Sequence, residues 1–425
     1  MYLTPYVQNL IGHEDIAESL KFEFDRRIYH YGNQFLNSTE SNSAQSRNKK
    51  IALAIRDLII LSRIITKNAS NKIPANSIVS NSYVSIKNTM NSKQHNFIKP
   101  PWDLSLKQAS YIDVNAFFRF RSMKNFLEHS HFNELLAEKA LTKIGSIQND
   151  LTEFYSSSNV IAGLFPNDVT FFEVQSIQIL KKLKKKSFVL LHGVPGIYNN
   201  ALHSKSDYLF VWGMALKNIF IQQGFSPDKI KVVGHPLSAK LSSPPKIRSS
   251  LDSVLVLGSS MPGGQFDKNE ALLWDRGNII LYCYMIQRTL QRLGVKKAKI
   301  RPHPSESKSW YSKFIDLNFF EFDNSSNIHS AVQASSLVIG PTSSSFIETI
   351  AEGVNYITFE PFYENSKSQY KLVPPFDGSD PRLLVTKSEN ELYETLKNNR
   401  LCDSSLLEDY LGAEYRLDEV LSELL

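Results

Sequence analysis

Two segments of this chain have residue types and spacing suited to chemistry. They are Arg301-Pro302-His303-Pro304-Ser305-Glu306 and, about forty residues later, Gly340-Pro341-Thr342-Ser343-Ser344-Ser345-Phe346-Ile347-Glu348. Each begins where an apolar run ends: KKAKI runs into Arg301, and SSLVIG runs into Pro341. In open α/β sheets, ligands bind outside the carboxyl ends of the strands, and helix N-termini there attract anions. His303, fixed between two prolines with Arg301 two residues earlier on the same face, suits a phosphate or pyrophosphate. So does the hydroxyl-rich turn of Thr342, Ser343, Ser344 and Ser345. Glu348 is spaced to reach a ribose hydroxyl. Each feature also has a plain reading: a rigid Pro-x-Pro turn, serines capping a helix, a solvated helix charge. Taken together, at strand ends of one βα unit, they point to a nucleotide-linked substrate.

A third segment, VLVLGSSMPGGQFD (254–267), ends a buried strand in Gly258-Ser259-Ser260 and reads as a cleft-facing, donor-binding loop or equally as an ordinary βα connection. It lacks the G-x-G-x-x-G pattern and the P-loop lysine, so neither a redox cofactor nor an ATP site is expected. Upstream, FVLLHG ends a strand in His192, whose near-neutral intrinsic pKa suits proton abstraction from an acceptor hydroxyl. A structural histidine in a turn is the alternative. Asp168 and Glu173, near a helix start, are candidates for base or nucleophile, or simple partners of the helix dipole. His235 closes a further strand and is a weaker candidate for the same cleft. The run Lys181–Lys186 ends a helix and reads as a solvated terminus, with an anionic membrane surface as the alternative. The acids show no paired spacing, and Cys283 and Cys402 form neither a zinc pattern nor a disulfide framework. No metal and no cofactor beyond a nucleotide-sugar donor is therefore expected.

Alternating strands and helices position these residues. From 158 onward the sequence reads NVIAGLF (strand), NDVTFFEVQSIQILKKLKK (helix), KSFVLLHG, DYLFVWG, MALKNIFIQQG (helix stopped by Gly224) and IKVVGHP. Such alternation predicts a parallel sheet with right-handed crossovers. A Ser/Pro-rich stretch at 237–253 reads as a linker, after which the alternation restarts through VLVLGSS, a helix near 269–293, KAKIRPHP, FFEFD, SLVIG and VNYITFE. The N-terminal third is less regular. It has a polar loop at 37–50, a helical pattern in IALAIRDLIILSRIITKNAS, a first strand at 76–86, and helices from 110. SLLEDYLGAEYRLDEVLSELL reads as one amphipathic helix. The fold expected is α/β with two Rossmann-like domains and a cleft between them. Residues 1–245 form an acceptor-binding domain, 246–405 a nucleotide-sugar domain, and 406–425 a closing helix.

The chain has 425 residues, 42% hydrophobic and 21% charged, which describes a soluble globular protein of two domains. No apolar run approaches the roughly 20 residues of a membrane span, and no signal peptide is evident. A cytoplasmic location is expected, with peripheral contact at the inner membrane face as an option. A net charge of +6 suits an anionic sugar nucleotide and is too diffuse to imply nucleic acid.

With these motifs the chain resembles the bacterial surface-polysaccharide glycosyltransferases of the two-Rossmann, GT-B type. The nearest in pattern are capsule and teichoic-acid-type transferases, including those using CMP-activated acidic sugars or CDP-glycerol. The resembling text covers roughly residues 158–362. The resemblance implies that His303, supported by Pro304, Arg301 and the three serines, binds the donor phosphate. It implies that Glu348 contacts the ribose and His192 activates the acceptor. Two departures stand out. The acidic pair followed by glycine that precedes the His-Pro pair in sialyltransferase families is not evident, and Pro341-Thr342-Ser343-Ser344 replaces the Asp-Tyr-Ser-Ser turn of teichoic-acid polymerases. The mechanism implied is metal-independent glycosyl transfer, from a CMP-linked keto-sugar acid such as Kdo or a sialic-type sugar, to a glycan or glycolipid hydroxyl. Alternatives are a CDP-glycerol or UDP-sugar transferase, an epimerase or hydrolase of the same fold, and a non-catalytic nucleotide- or glycan-binding protein.

Overall fold

A computed structural model describes residues 10, 12–34, 44–66, 72–81, 95–104, 111–130, 132–135, 137–194, 205–238, 241, 243–258, 269–303, 308–361, 372 and 374–425. Among the described residues twelve strands form two sheets, and every pairing between them is parallel. The first holds β1 (Ser77–Ser80), β2 (Asn96–Ile98), β3 (Val160–Phe165), β4 (Lys186–Leu190), β5 (Tyr208–Val211) and β6 (Ile230–Val232), in the order β2-β1-β3-β4-β5-β6. The second holds β7 (Val254–Leu257), β8 (Ala298–Arg301), β9 (Phe320–Phe322), β10 (Leu337–Gly340), β11 (Asn355–Phe359) and β12 (Leu384–Thr386), in the order β12-β11-β10-β7-β8-β9. Strands such as VLVL and LVIG are buried along their whole length, because helices cover both faces of a parallel sheet. The α/β class with two Rossmann-like sheets is as expected. β2 and β12 were not anticipated: each has only three residues, too few to show a period.

Helix Phe171–Lys182 shows how sequence sets local structure here. Asn167 Oδ1 accepts from the backbone N–H groups of Val169 (3.0 Å) and Thr170 (2.9 Å), forming the turn that leads into the helix, whose N-cap is Thr170. At the other end Lys184 turns the chain with φ of 57°, and Lys185 N bonds back to Leu180 O at 2.9 Å. The Lys181–Lys186 run is not wholly solvated. Lys185 Nζ donates to Tyr155 O (2.5 Å) and Ser157 O (2.7 Å), capping helix Glu138–Ser156. The polar stretch expected as a loop over 37–50 is helical from Ala44, because AQSRNKK supplies good helix formers ahead of the apolar run; residues 35–43 lie outside the described ones.

The C-terminal segment is two helices, Leu406–Leu411 and Leu417–Leu424, broken at Gly412 with φ of 71°. Leu406, Leu407 and Leu411 pack into the core that runs through the second sheet. Leu417, Val420 and Leu421 pack against Ile78, Leu164 and Phe210 of the first sheet. The chain thus crosses back to its first unit. At the crossing, His235 N donates to Leu411 O (2.8 Å) and Arg416 N to Val233 O (2.7 Å). A Cβ on Gly213 would lie 2.1 Å from Asp409 O, and one on Gly234 would lie 1.9 Å from Glu414 O, so backbone meets backbone there.

His235 belongs to this junction. Its ring lies 4.5 Å from the Trp212 ring, centroid to centroid, and its Nδ1 accepts from Leu237 N at 3.1 Å. Burial pushes its pKa down to about 4. The neutral form is favoured in the folded chain, whereas an unfolded histidine protonates near pH ~6.5. This stability is therefore complete above pH ~6.5 and is lost as pH falls toward the folded pKa, by the order of 3 kcal/mol. Urea unfolding of His235→Gln should show a shallower decline between pH 7 and pH 4 than the parent chain. Parallel declines would contradict this role.

Candidate functional site

Register aligns the ends of the second sheet. Leu257 pairs with Arg301, Val256 with Ile339, and Gly340 with Thr358. Gly258 N continues the ladder to Arg301 O at 2.8 Å. Gly258, His303, Thr342 and Glu360 therefore follow the carboxyl ends of four neighbouring strands, β7, β8, β10 and β11. From β7 the chain moves outward through β8 and β9; β10 to β12 build on the other side. The crevice between β7 and β10 is thus the switch point, the place where α/β sheets bind ligands.

The turn after β10 is shaped by its neighbours. A Cβ on Gly340 would lie 2.2 Å from Tyr356 Oη, which instead donates to Pro341 O at 2.6 Å. Ser345 Oγ donates to Ser343 Oγ (2.8 Å), and the next helix, Ser345–Ala351, starts there. Ser344 holds the N-cap place without a side-chain cap, and all three serines are half-buried. Glu348, in the first turn of that helix, has its pKa raised by burial, with His329 acting weakly in the other direction.

Two neighbours define what this edge can offer an anion. Arg301 Nη1 pairs with Asp323 and also donates to Ser325 O at 3.1 Å, so its guanidinium is tied along β9. Burial opposes the Asp323 charge, but hydrogen bonds from Ser325 and Arg301 outweigh it and hold the carboxyl below its usual range. Asp323 is 2% exposed, so Asp323→Ala should strand the guanidinium and cost about 3 kcal/mol in chemical denaturation; an unchanged midpoint would contradict the tie. His303 is half-buried, and burial lowers its pKa, which favours a neutral imidazole able to donate one N–H. Pro304, Ser259 and Ser260 lie outside the described residues.

Glu360, ending β11, was not singled out from sequence. Its Oε1 accepts from Thr342 N at 2.7 Å, and burial raises its pKa. It therefore fastens the hydroxyl-rich turn to the next strand. The signal was present in VNYITFE, where a carboxylate directly follows a β-branched and aromatic strand.

The first sheet brings together a second group. Its switch point lies between β1 and β3. Asn81 follows β1 and donates to Glu173 Oε1 at 2.6 Å; Thr170 Oγ1 bonds the other Glu173 oxygen. Burial raises the Glu173 pKa, with these hydrogen bonds acting against it. Asp168 is buried too, and its Oδ2 accepts from Lys205 N at 2.7 Å. Both carboxylates are thus engaged by protein donors.

His192 differs. It follows β4, its side chain is reached by solvent, and its Nδ1 lies 2.9 Å from Pro166 O. A carbonyl only accepts, so Nδ1 carries the proton and Nε2 the lone pair. Protein crowding on the inner side of the ring lowers its pKa, partly offset by the Pro166 bond. The ring is held in one tautomer, and its neutral form is favoured.

The sequence-derived residues thus form two groups on two sheets. Gly258, Arg301, His303, Thr342, Ser343, Ser344, Ser345 and Glu348 line the edge of the second; Asp168, Glu173 and His192 line that of the first. Between the units lies a pocket of ≈ 450 Å³, walled by helix Met214–Gln222, Tyr410 and residues including Asp380 and Arg382. None of the sequence-derived residues lines it. Among the described residues no group of three or more His, Cys, Asp or Glu is placed to hold a metal ion.

No protein-family model matches the chain, and no curated protein does. Among solved structures it is similar to a UDP-GlcNAc 2-epimerase from Methanocaldococcus jannaschii in complex with UDP-GlcNAc and UDP, at 13% identity and a TM-score of 0.45, covering 82% of this chain and 98% of that one. It is similar to the UDP-GlcNAc 2-epimerase of Neisseria meningitidis, at 9% identity and a TM-score of 0.47, with the same two coverages of 82% and 98%. It is also similar to the wall teichoic acid polymerase TagF soaked with CDPG, at 12% identity and a TM-score of 0.38, covering 89% of this chain and 95% of that one. These are likenesses of chain path, and no residue role crosses over from them.

Proposed function

We propose that this chain is a glycosyltransferase that moves a sugar from a nucleotide-sugar donor to an acceptor hydroxyl without a metal ion. A CMP-linked acidic keto-sugar of Kdo or sialic type is the donor that suits its net positive charge best, and a surface glycan or glycolipid is the acceptor. The observation that carries this reading is the register that gathers Gly258, His303 and the Thr342–Ser345 turn at the switch point of one sheet.

The chemistry follows from those groups. As the bond from the sugar's anomeric carbon to the phosphate oxygen breaks, charge grows on the leaving nucleotide. The His303 N–H and the hydroxyls of Ser343 and Ser344 offset that charge as donors, with Ser345 Oγ donating to and orienting Ser343 Oγ. The acceptor oxygen forms the new bond to the anomeric carbon, and its proton passes to His192 Nε2. The nucleotide leaves as its monophosphate when the donor is CMP-linked. Retention would require a carboxylate nucleophile, and Asp168 and Glu173 are the available ones. Because both are buried and held by protein donors, the reading is single-step inversion with His192 as base.

The test is nucleotide release from a panel of CMP-, CDP-, UDP- and GDP-sugars, with and without a glycan acceptor and EDTA. Release that needs acceptor and ignores EDTA is the expected result. Release or isomerisation without any acceptor would replace this reading by a hydrolase or epimerase.

A further inference from the structure

Helix Met214–Gln222 buries Leu216 and Phe220 on its inner side. Ala215, Asn218, Ile219 and Gln222 recur at spacings of three and four, so they form one stripe, and all four line the pocket between the units. The opposite wall holds Asp380, Arg382, Tyr410 and the rings of Pro374 and Pro381. Its volume of ≈ 450 Å³ falls within the ~300–1,000 Å³ of small-molecule sites, which favour such junctions between units. What it could take follows from the groups its walls offer.

Tyr410 is only 2% exposed. Its ring meets Phe346 edge to face, with centroids 5.6 Å apart, and its hydroxyl is near the charges of Asp380 and Arg382 on the pocket wall. Among the described residues that hydroxyl has no hydrogen-bond partner. Hydroxyls on rings so buried normally have one, so this one is available to a ligand. Burial, then the nearby carboxylates, push its pKa up, and the hydroxyl keeps its proton to donate.

Arg382 is the usual kind of anion ligand, but here its charge is taken. Its Nε and Nη2 donate to Asp380 at 2.9 and 2.8 Å, and Nη2 also donates to Asp409 at 2.7 Å. These bonds leave Nη1, so the guanidinium offers hydrogen bonds without a net positive charge. With two carboxylates against one cation, a phosphate or carboxylate ligand is disfavoured. The carboxamides of Asn218 and Gln222, one turn apart, each donate and accept. Between these polar groups Ala215, Ile219 and the two prolines present C–H surface. Donors, acceptors and apolar patches in alternation match the hydroxyl edges and C–H faces of a sugar ring.

We propose that this pocket is a binding site for a neutral sugar, either free or as part of a longer glycan. It is separate from the carboxyl edge of the second sheet, because Gly258, His303, Thr342 and Glu348 do not line it, and it does not depend on the donor reading. A ligand there touches helix Met214–Gln222 of the first unit together with Arg382 and Tyr410.

The test is a saturation-transfer NMR titration of the full chain with glucose, galactose, N-acetylglucosamine and their short oligomers. Glucuronic and galacturonic acids serve as charged counterparts, and each titration is run with and without CMP. A neutral sugar should bind saturably, at least about fivefold tighter than the uronic acids, with CMP making no difference. Tyr410→Phe should weaken that binding about three- to tenfold at an unchanged melting temperature, because the lost hydroxyl has no described partner. The double variant Asn218→Ala, Gln222→Ala changes two exposed side chains and should weaken binding about tenfold, which keeps the test sound if Tyr410→Phe folds poorly. Affinity that rises with oligomer length would assign the site to a glycan chain, and equal affinity to a free sugar; either upholds it. No binding of any of these sugars, tighter binding of the uronic acids, binding unchanged in both variants, or displacement by CMP would overturn the proposal.

Discussion

Replacing His192 with alanine should lower kcat by a factor of about 10² to 10⁴ while leaving nucleotide affinity unchanged. The size of the effect follows from geometry. The Pro166 carbonyl fixes the proton on Nδ1 and the lone pair on Nε2, and His192 follows β4 in the first sheet, whereas His303 and the Thr342–Ser345 turn belong to the second. Loss of the ring therefore removes proton transfer without touching the donor site. The lowered pKa adds a signature. The base is neutral down to a pH below the ordinary histidine value of ~6.5, so the acidic limb of kcat should fall below that point. A kcat within a few-fold of the parent chain would move the base elsewhere, with Glu173 the next to test.

Gly234→Ala should be the most damaging single-methyl change outside the site. Gly234 has φ of 76°, and a Cβ there would stand 1.9 Å from the carbonyl oxygen of Glu414. The nearest atoms are backbone, so no side chain can swing away. The backbone-to-backbone contact that returns the C-terminal helix to the first sheet must open, at a cost of roughly 3 kcal/mol or more. Gly224→Ala is the matched control. It also has positive φ, 93°, but has nothing within 4 Å of its would-be Cβ, so only backbone strain of about 1 kcal/mol is expected. Equal urea midpoints for the two variants would show that the crossing is not held as described.

The architecture from residue 158 onward was legible because buried parallel strands and their helices differ in period and length. The strands VIAGLF, KSFVL, VLVL and LVIG are apolar runs too short for helices, and the Gly224 stop falls where expected. Helix Glu389–Lys397 was missed although its start is written in sequence: Ser388 accepts from Glu391 N, and Glu391 accepts from Lys387 N. The break at Gly412 was also missed. Apolar spacing continues across it, and only the folded chain shows that the two halves face different sheets.

Of the candidate site, the residue types at strand ends could be read, but not their partners. Asp323 is distant in sequence from Arg301 and has no motif, yet it claims one end of the guanidinium. Glu360 required knowing that β11 lies beside β10. Glu173 looked like an available carboxylate, and only the fold brings Asn81 to it from the end of β1. Sequence shows which groups can react; tertiary partners decide which of them are engaged.

The central claim is that the carboxyl edge of the second sheet binds the donor's nucleotide. Calorimetric titration of CMP into the parent chain and His303→Ala, with and without EDTA, tests it most directly. Binding to the parent chain that is indifferent to EDTA, and weaker by about tenfold or more in the variant, is the predicted result. Equal affinity in both chains, or no binding of CMP or any other nucleotide, would contradict it.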